Sequence, residues 1–206
     1  MTRVLALDTA TDIATACVAA DGVVLAEGAL GPERYAAQRI LELADELLAE
    51  ARTRLDELDA VVVGTGPGSF TGLRIGIAAA RGLGLALGVP VAGVSTLDAL
   101  RAGAGPHGYA VIDARRGEVF AAGPDLEPAV LRPADLADRL PAGALAVGDG
   151  ALRYADVLDG AQVPPAADPR HAPRASHHAA LAAEGGYASS SEPRYLRRPD
   201  AEPEAA

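Results

Sequence analysis

Two aspartates follow short apolar runs in corresponding places in the two halves of the chain. Asp8 ends the run VLALD and is followed closely by Thr9 and Thr11, and Asp113 ends the run YAVID. Carboxylates and small hydroxyls at the end of a buried strand can hold a phosphate group or a metal ion. A simpler role for Asp8 is to cap the turn that follows it. These four residues are candidates for the remnant of a phosphate loop.

A glycine-rich loop, GTGPGSFTG, separates an apolar run from a helical pattern between Gly64 and Gly72. It lacks the last glycine of the dinucleotide fingerprint, where Ser69 stands, and the lysine of a Walker loop. All 18 basic residues are arginine, which also excludes Schiff-base chemistry. The loop is therefore either an anion-binding turn with free amides or a purely structural connection.

Other catalytic patterns are incomplete. The nucleophile elbow G-x-S-x-G fails two residues after Ser95, which is better interpreted as a helix N-cap with Asp98 three residues later.

Cys17 is the single cysteine, so no intrachain disulfide can form, and its apolar surroundings predict a buried hydrophobic role. No histidine pair has the spacing of a helical zinc site. The histidines are His107, His171, His177 and His178.

Composition limits the classes of partner. The net charge of −10 opposes direct binding to nucleic acid, and an aromatic content of 3% leaves few stacking platforms. If the chain takes part in RNA chemistry, a partner protein must make most of the contacts with the RNA. No segment approaches the roughly 20 uninterrupted apolar residues of a membrane span, and the first residues lack the layout of a signal peptide. We expect a soluble cytoplasmic protein.

The elements that must position these residues follow from hydrophobic periodicity and turn signals. The first half predicts strands at Val4–Leu7, Ala14–Ala20, Val23–Ala29, Ala60–Val63 and Val91–Val94. It also predicts helices at about 35–51 and 71–87, and a third helix capped by Ser95. The second half predicts strands at Tyr109–Ile112, Val119–Ala122 and Leu145–Val147, and helices at Pro133–Leu140 and Ala179–Glu184.

This order predicts an α/β protein with mixed sheets and helices on their faces. It is the order of one lobe of the actin-like (Hsp70 and sugar kinase) ATPases, where an acid and small hydroxyls at the first strand meet phosphate and metal. The strand, aspartate and turn at the start of each half indicate a duplicated lobe with a reduced second copy. We divide the chain into lobes 1–103 and 104–198 and a disordered tail, 199–206.

The second helix carries small residues four apart: Gly72, Gly76, Ala80, Gly84 and Gly88. This spacing places them on one helix face. Glycine within a helix costs roughly 0.5–1 kcal/mol relative to alanine, so close approach of another backbone must offset it. That backbone can belong to the sheet beneath or to a partner. Because the other faces are also apolar, we expect a partner protein to cover the outer face.

The run VVVGTGPGSFTGLRIGIAAARGLGLALGVPVAGVSTLDAL resembles the signature of the TsaB (YeaZ) family. The segments VLALDTAT, IDARRGEVF and PRYLR resemble the family as well, in the same order. The resemblance implies a subunit without catalytic residues that binds and activates TsaD, the threonylcarbamoyl transferase that modifies adenosine 37 of tRNA. It also implies work beside the ATPase TsaE, no metal site, and ATP only at the boundary of the complex.

The family's subunit contact, carried over by position, uses the first two helices. The implied partner surface consists of Gln38, Leu41, Asp45, Leu73, Gly76, Ile77, Ala80, Leu83, Gly84 and Leu87. Many relatives carry a histidine just before the glutamine, whereas Ala36 and Ala37 precede Gln38 here.

Three alternatives stay open. The chain could be an independent small actin-like enzyme that binds ATP, or a homodimeric binding module that uses the same helix face on itself. The basic residues Arg115, Arg116, Arg194, Arg197 and Arg198 are either surface groups and internal ion pairs or a docking site for a partner or tRNA phosphate.

Overall fold

The computed structural model describes residues 1–31 and 36–197. The first half contains β1 (Arg3–Asp8), β2 (Ala14–Ala20), β3 (Val23–Leu30), α1 (Ile40–Glu50), β4 (Ala60–Gly64), α2 (Phe70–Leu87), β5 (Val91–Val94) and α3 (Thr96–Ala104). The second half contains β6 (Tyr109–Arg115), β7 (Glu118–Gly123), β8 (Leu126–Leu131), α4 (Pro133–Ala137), β9 (Ala146–Val147), α5 (Asp149–Arg153) and α6 (Ala175–Glu184). Tyr35, Arg198 and the predicted tail lie outside the described residues.

The first sheet has five strands in the order β3-β2-β1-β4-β5. The first three strands are antiparallel and joined by tight turns, the second of them at Asp21-Gly22, where both residues have positive φ. The last two strands run parallel to β1, because helices carry the chain back between them.

Helices cover both faces of this sheet, which explains why every residue of β4 is buried. On one face, α1 and α2 pack on the inward side chains of β1, β2 and β4. On the other face, α6 packs on the alternate residues of the same strands, with Cys17 in this second core. The alternation of the strand side chains thus separates two apolar clusters.

The second sheet repeats the arrangement of the first with one strand fewer. Its order is β8-β7-β6-β9, with antiparallel pairs from β6 to β8 and a parallel pair between β6 and β9. β6 therefore corresponds to β1, β7 to β2, β8 to β3 and β9 to β4. The predicted actin-like fold with a reduced second lobe is confirmed.

Two helices cross the boundary that we drew at residue 103. Leu97 and Leu100 of α3 pack on the second sheet, in one cluster with Ile112 and Phe120. Conversely, α6 follows the second sheet in the chain but packs on the first. The division into 1–103 and 104–198 stays a prediction, and α3 and α6 each pack on the sheet of the other half of the chain.

Most element positions match the sequence prediction, with differences of a few residues at the ends. The first helix was expected from about residue 35, whereas a 3₁₀ turn at Ala36–Arg39 precedes α1. Strand β8 and helix α5 were not predicted from the sequence. Ser95 is an N-cap as predicted, since its hydroxyl accepts a hydrogen bond of 3.3 Å from the Asp98 amide.

Candidate functional site

A cleft with a volume of about 530 Å³ opens between the two lobes. One wall comes from the turn after β1 and from the start of α2, and the other from the end of β6 and the start of α5. The C-terminal residues 194–197 also line it. In an open α/β fold such a crevice at strand ends is the default place for a ligand.

Asp8 and Thr9 belong to the protein interior and do not line this cleft. The Asp8 carboxylate accepts hydrogen bonds from the Ala10 amide at 2.8 Å and from the Thr96 hydroxyl at 2.8 Å. It also lies 2.9 Å from His178 Nε2. The Thr9 hydroxyl donates to the carbonyl oxygen of Gly72 at 2.7 Å. The polar groups of both residues therefore bond within the fold and do not face the cleft, where a phosphate group would lie.

Thr11 and Asp113 do line the cleft. The Asp113 side chain is nearly buried, and its Oδ2 lies 3.1 Å from Arg115 Nη1 and 3.4 Å from Arg153 Nη1. The Thr11 hydroxyl donates to the Ile13 carbonyl at 3.0 Å. The structure thus divides the four predicted residues into a buried pair in the first lobe and a second pair that faces the cleft.

Asp12 and Asp149 complete the acidic part of the cleft, and the sequence analysis missed both. Burial raises the pKa of Asp149 to about 6. A hydrogen bond from the Asp113 amide lowers the pKa, whereas the nearby charges of Asp12 and Asp113 raise it further. Asp12 lies in the loop after β1 and Asp149 begins α5, so no local motif in the sequence singles out either residue. No group of three or more His, Cys, Asp or Glu side chains suited to a metal ion occurs in the described ranges.

Arg115 ties the two lobes together across the cleft. Its Nη2 donates to both carboxylate oxygens of Asp12, at 3.0 and 3.2 Å. Burial opposes its charge, but Asp12 and Asp113 raise the pKa of Arg115 above its ordinary value. The backbone of Arg115 and Arg116 has positive φ of 61° and 56°, a conformation uncommon for residues with a side chain.

The glycine-rich loop is a structural turn in this chain. The Ser69 amide donates to the Ala10 carbonyl at 2.7 Å, and the Gly66 amide donates to the Thr96 hydroxyl at 3.2 Å. A Cβ atom on Gly68 would lie 2.2 Å from the Ala10 carbonyl oxygen. Close packing against the turn after β1 accounts for the glycine at this position.

The small-residue stripe of α2 faces the chain's own sheet. A Cβ on Gly72 would lie 2.1 Å from the Thr9 carbonyl oxygen, one on Gly76 2.3 Å from Thr9 Oγ1, and one on Gly84 2.3 Å from Val91 Cγ2. Part of the predicted partner surface faces inward against the chain's own sheet, where a partner does not reach it in this structure. It comprises Leu73, Gly76, Ile77, Ala80 and Gly84, all buried within the chain.

The other faces of the first two helices leave apolar side chains in solvent. Leu85 of α2 is 87% exposed and Leu41 of α1 is 48% exposed. Gln38 and Asp45 are exposed, and Leu83 and Leu87 are half-buried. Asp45 and Leu87 line one shallow groove between the helices. These five predicted residues share this side of the first lobe with Leu85, which the sequence analysis did not single out.

Helix α2 is the one helix in the described part of the chain that is long and apolar enough to cross a membrane. Its inward face packs on the sheet, and Arg74 and Arg81 lie on its outward face. Packing in the core explains much of the apolar composition, so the length and composition of this single helix are weak evidence for a membrane span.

Comparisons with known proteins agree with the fold. A family model described as tRNA N6-adenosine threonylcarbamoyltransferase (TsaD) matches residues 27–132. The solved structure of YeaZ from Pseudomonas aeruginosa superimposes with a TM-score of 0.75, at 30% sequence identity over 95% of this chain and 100% of that one. The chain belongs to the TsaB (YeaZ) family. An uncharacterised Mycobacterium tuberculosis protein, Rv3421c, is 38% identical over 98% of this chain and 95% of its own length.

The names of characterised TsaB relatives refer to a biosynthetic pathway. The Escherichia coli relative, called tRNA threonylcarbamoyladenosine biosynthesis protein TsaB, is 43% identical over 57% of this chain and 53% of its own length. That alignment spans about half of each protein.

Proposed function

We propose that this chain is a partner subunit in the formation of N6-threonylcarbamoyladenosine in tRNA, and that it acts by binding a TsaD-type threonylcarbamoyl transferase in the cytoplasm. The names of the TsaB relatives support the pathway. In this proposal the chain supplies no catalytic group, and TsaD carries out the transfer.

The observation that carries the proposal is the exposure of Leu85 on a helix whose inner face is already packed. A leucine that is 87% exposed on such a helix gains free energy when a second protein covers it. Leu41 and the groove between Asp45 and Leu87 extend the same side. A stable pair needs roughly 1,600 Å² of total buried surface, which two helix faces on each subunit can supply.

The environment of Asp8 argues against the rival function, an independent ATP-binding enzyme. A catalytic or metal-binding aspartate must offer a free oxygen to its ligand. Here one Asp8 oxygen accepts from the Ala10 amide, and the other meets Thr96 and His178. Micromolar binding of magnesium ATP by the isolated chain, with turnover, would favour that rival.

The proposal is tested by binding to purified TsaD from the same organism. Leu85→Glu should weaken the complex at least about tenfold, because a charged group replaces an apolar contact at the interface. Val157→Glu is the matched control, since Val157 is exposed on the second lobe. Equal binding by both variants would remove α2 from the interface. Loss of the gene should also remove the modified base from hydrolysed tRNA, and its persistence would contradict the proposed pathway.

The same variants address self-association, TsaE and nucleotide. In our proposal a second copy of the chain competes with TsaD for this face, so sedimentation of Leu85→Glu alone should show less dimer than the unmodified chain. TsaE and any ATP would join only after the pair has formed.

A further inference from the structure

The last part of the chain that the structure describes, residues 188–197, runs in an extended form along the first lobe and reaches the second. We call this segment the strap. Its first contact is with the edge strand β5. The Gly93 amide donates to the Ser189 carbonyl at 3.2 Å, and the Ser189 hydroxyl donates to the Gly93 carbonyl at 2.7 Å. A Cβ on Gly93 would lie 2.2 Å from the Ser190 carbonyl oxygen, so glycine here makes room for the strap.

Helix α2 holds the middle of the strap through its outward arginines. Arg81 donates to the Ser191 carbonyl at 3.1 Å and to the Glu192 carboxylate at 2.6 Å. Further along, the Tyr195 ring lies 5.7 Å from the Phe70 ring, and the Arg74 guanidinium stacks 3.7 Å above Phe70.

The end of the strap changes lobes. The Arg194 amide still donates to the Thr65 carbonyl of the first lobe at 2.8 Å. Three residues later, Arg197 donates to the Ala114 carbonyl at 3.0 Å and pairs with the carboxylate of Glu118, both in the second lobe. Residues 194–197, which make this crossing, line the cleft.

A second tie reaches the same hairpin of the second lobe. Arg115 lies between Ala114 and Glu118 and bonds to Asp12 of the first lobe. The turn between β6 and β7 is therefore bonded twice: Arg197 of the strap bonds to it, and its own Arg115 bonds to the first lobe. Arg197 reaches this turn from the strap, whereas Arg115 leaves it for Asp12, so the two arginines limit the motion of the turn together.

We propose that the strap is a clasp that holds the two lobes closed over the cleft, and that Arg197 is its fastening residue. Release of Arg197 frees the turn between β6 and β7 on one side, so the cleft widens. Contacts of an arginine with both a carbonyl and a carboxylate are strong enough to change the closed-to-open ratio on the order of tenfold.

The test measures the distance between the lobes in the full chain. Spin labels on Ala78→Cys in α2 and Glu127→Cys in β8 sit on exposed positions of the two lobes, and Cys17 is buried. Pulsed electron paramagnetic resonance should show a longer mean distance between the two labels, and a broader distribution, for Arg197→Ala than for the unmodified chain. Arg194→Ala is the matched control, because it removes an equal charge from the strap but keeps the backbone bond to Thr65.

Glu118→Ala should reproduce part of the effect of Arg197→Ala, since it removes the ion pair but leaves the bond from Arg197 to the Ala114 carbonyl. Thermal unfolding of each variant checks that the lobes stay folded, and hydrogen exchange of the amides at 115–118 gives an independent reading if the labels perturb the fold. Unchanged distances and exchange in Arg197→Ala overturn the proposal. Equal broadening in Arg194→Ala also overturns it, because the effect would then come from charge alone.

Discussion

His178 Nε2 lies 2.9 Å from Asp8 Oδ2, and both side chains are fully buried. The contact lacks the alignment of a good hydrogen bond, so we describe it as a close polar contact. The other ring nitrogen, Nδ1, lies 3.1 Å from the Arg174 carbonyl oxygen, which can only accept. The pair joins the end of the first strand to the last helix, two elements about 170 residues apart in sequence.

His178→Ala should strongly destabilise the fold. It removes the buried ring that lies against the Asp8 carboxyl group and leaves a cavity, and the loss of a buried polar partner costs about 1–3 kcal/mol. Denaturation in urea, followed by circular dichroism, measures the free energy of unfolding. His107→Ala is the control because His107 is exposed, and it should change that free energy by less than about 0.5 kcal/mol.

A cycle with Asp8→Ala and the double variant isolates the pair itself. If the double variant loses the sum of the two single losses, the side chains do not interact and the buried pair makes no specific contribution.

Two glycines of α2 should respond to alanine in opposite ways. Gly76→Ala places a Cβ 2.3 Å from Thr9 Oγ1, so Thr9 must move and unfolding should become easier by roughly 1–3 kcal/mol. Gly82 has no atom within 4 Å of the position of a Cβ, and Gly82→Ala should stabilise the chain by roughly 0.5–1 kcal/mol. Urea titrations compare the two variants. Stabilisation by both would mean that α2 does not lie tightly on Thr9.

The sequence predicted the small-residue face of α2 but not what it faces. Periodicity shows which residues share a helix face, whereas the identity of the neighbour depends on the tertiary packing. Gly84 approaches Val91 of β5, and Gly76 approaches Thr9, which directly follows β1. Leu85 directly follows the inward position Gly84 in sequence, yet it is exposed to solvent. A count of apolar residues on each helix face would have singled it out.

The strand and aspartate that open each half correctly predicted the repeated topology. They did not predict that the two aspartates would have different surroundings. Asp8 and Asp113 occupy corresponding places in the two sheets, but the surroundings differ. Asp8 is enclosed because α6 returns from the second half and brings His178 against it. Asp113 faces the cleft and arginines instead. Contacts between such distant segments, including the crossing of Arg197 to Glu118, leave no local pattern in a single sequence.

Cys17 should resist alkylation in the folded protein. Burial raises its pKa to about 12, and the nearby Glu27 carboxylate adds to the rise while Arg174 opposes it. The thiolate is the reactive form, so at about pH 8 the native chain should take up a maleimide far more slowly than the chain in concentrated guanidinium. Mass spectrometry over time gives both rates. Rapid labelling under native conditions would show that the core beneath α6 opens often.

Asp149 should make stability depend on pH. Its pKa is raised to about 6 in the fold, above the ordinary value of 3.8, so folding favours the protonated carboxyl. This contribution is fully present below about pH 3.8 and is lost as the pH rises through about 6.

Asp149→Asn stays neutral and can still accept from the Asp113 amide. The variant should therefore be more stable than the original chain at about pH 8, by about 1–2 kcal/mol given the partial exposure of the side chain. At about pH 4 the difference should be small, because the carboxyl is then protonated in the folded chain. Urea titrations of both proteins at the two pH values measure it. A difference of the same size at both would show that the substitution acts through packing, and that the cleft does not hold Asp149 as a protonated acid.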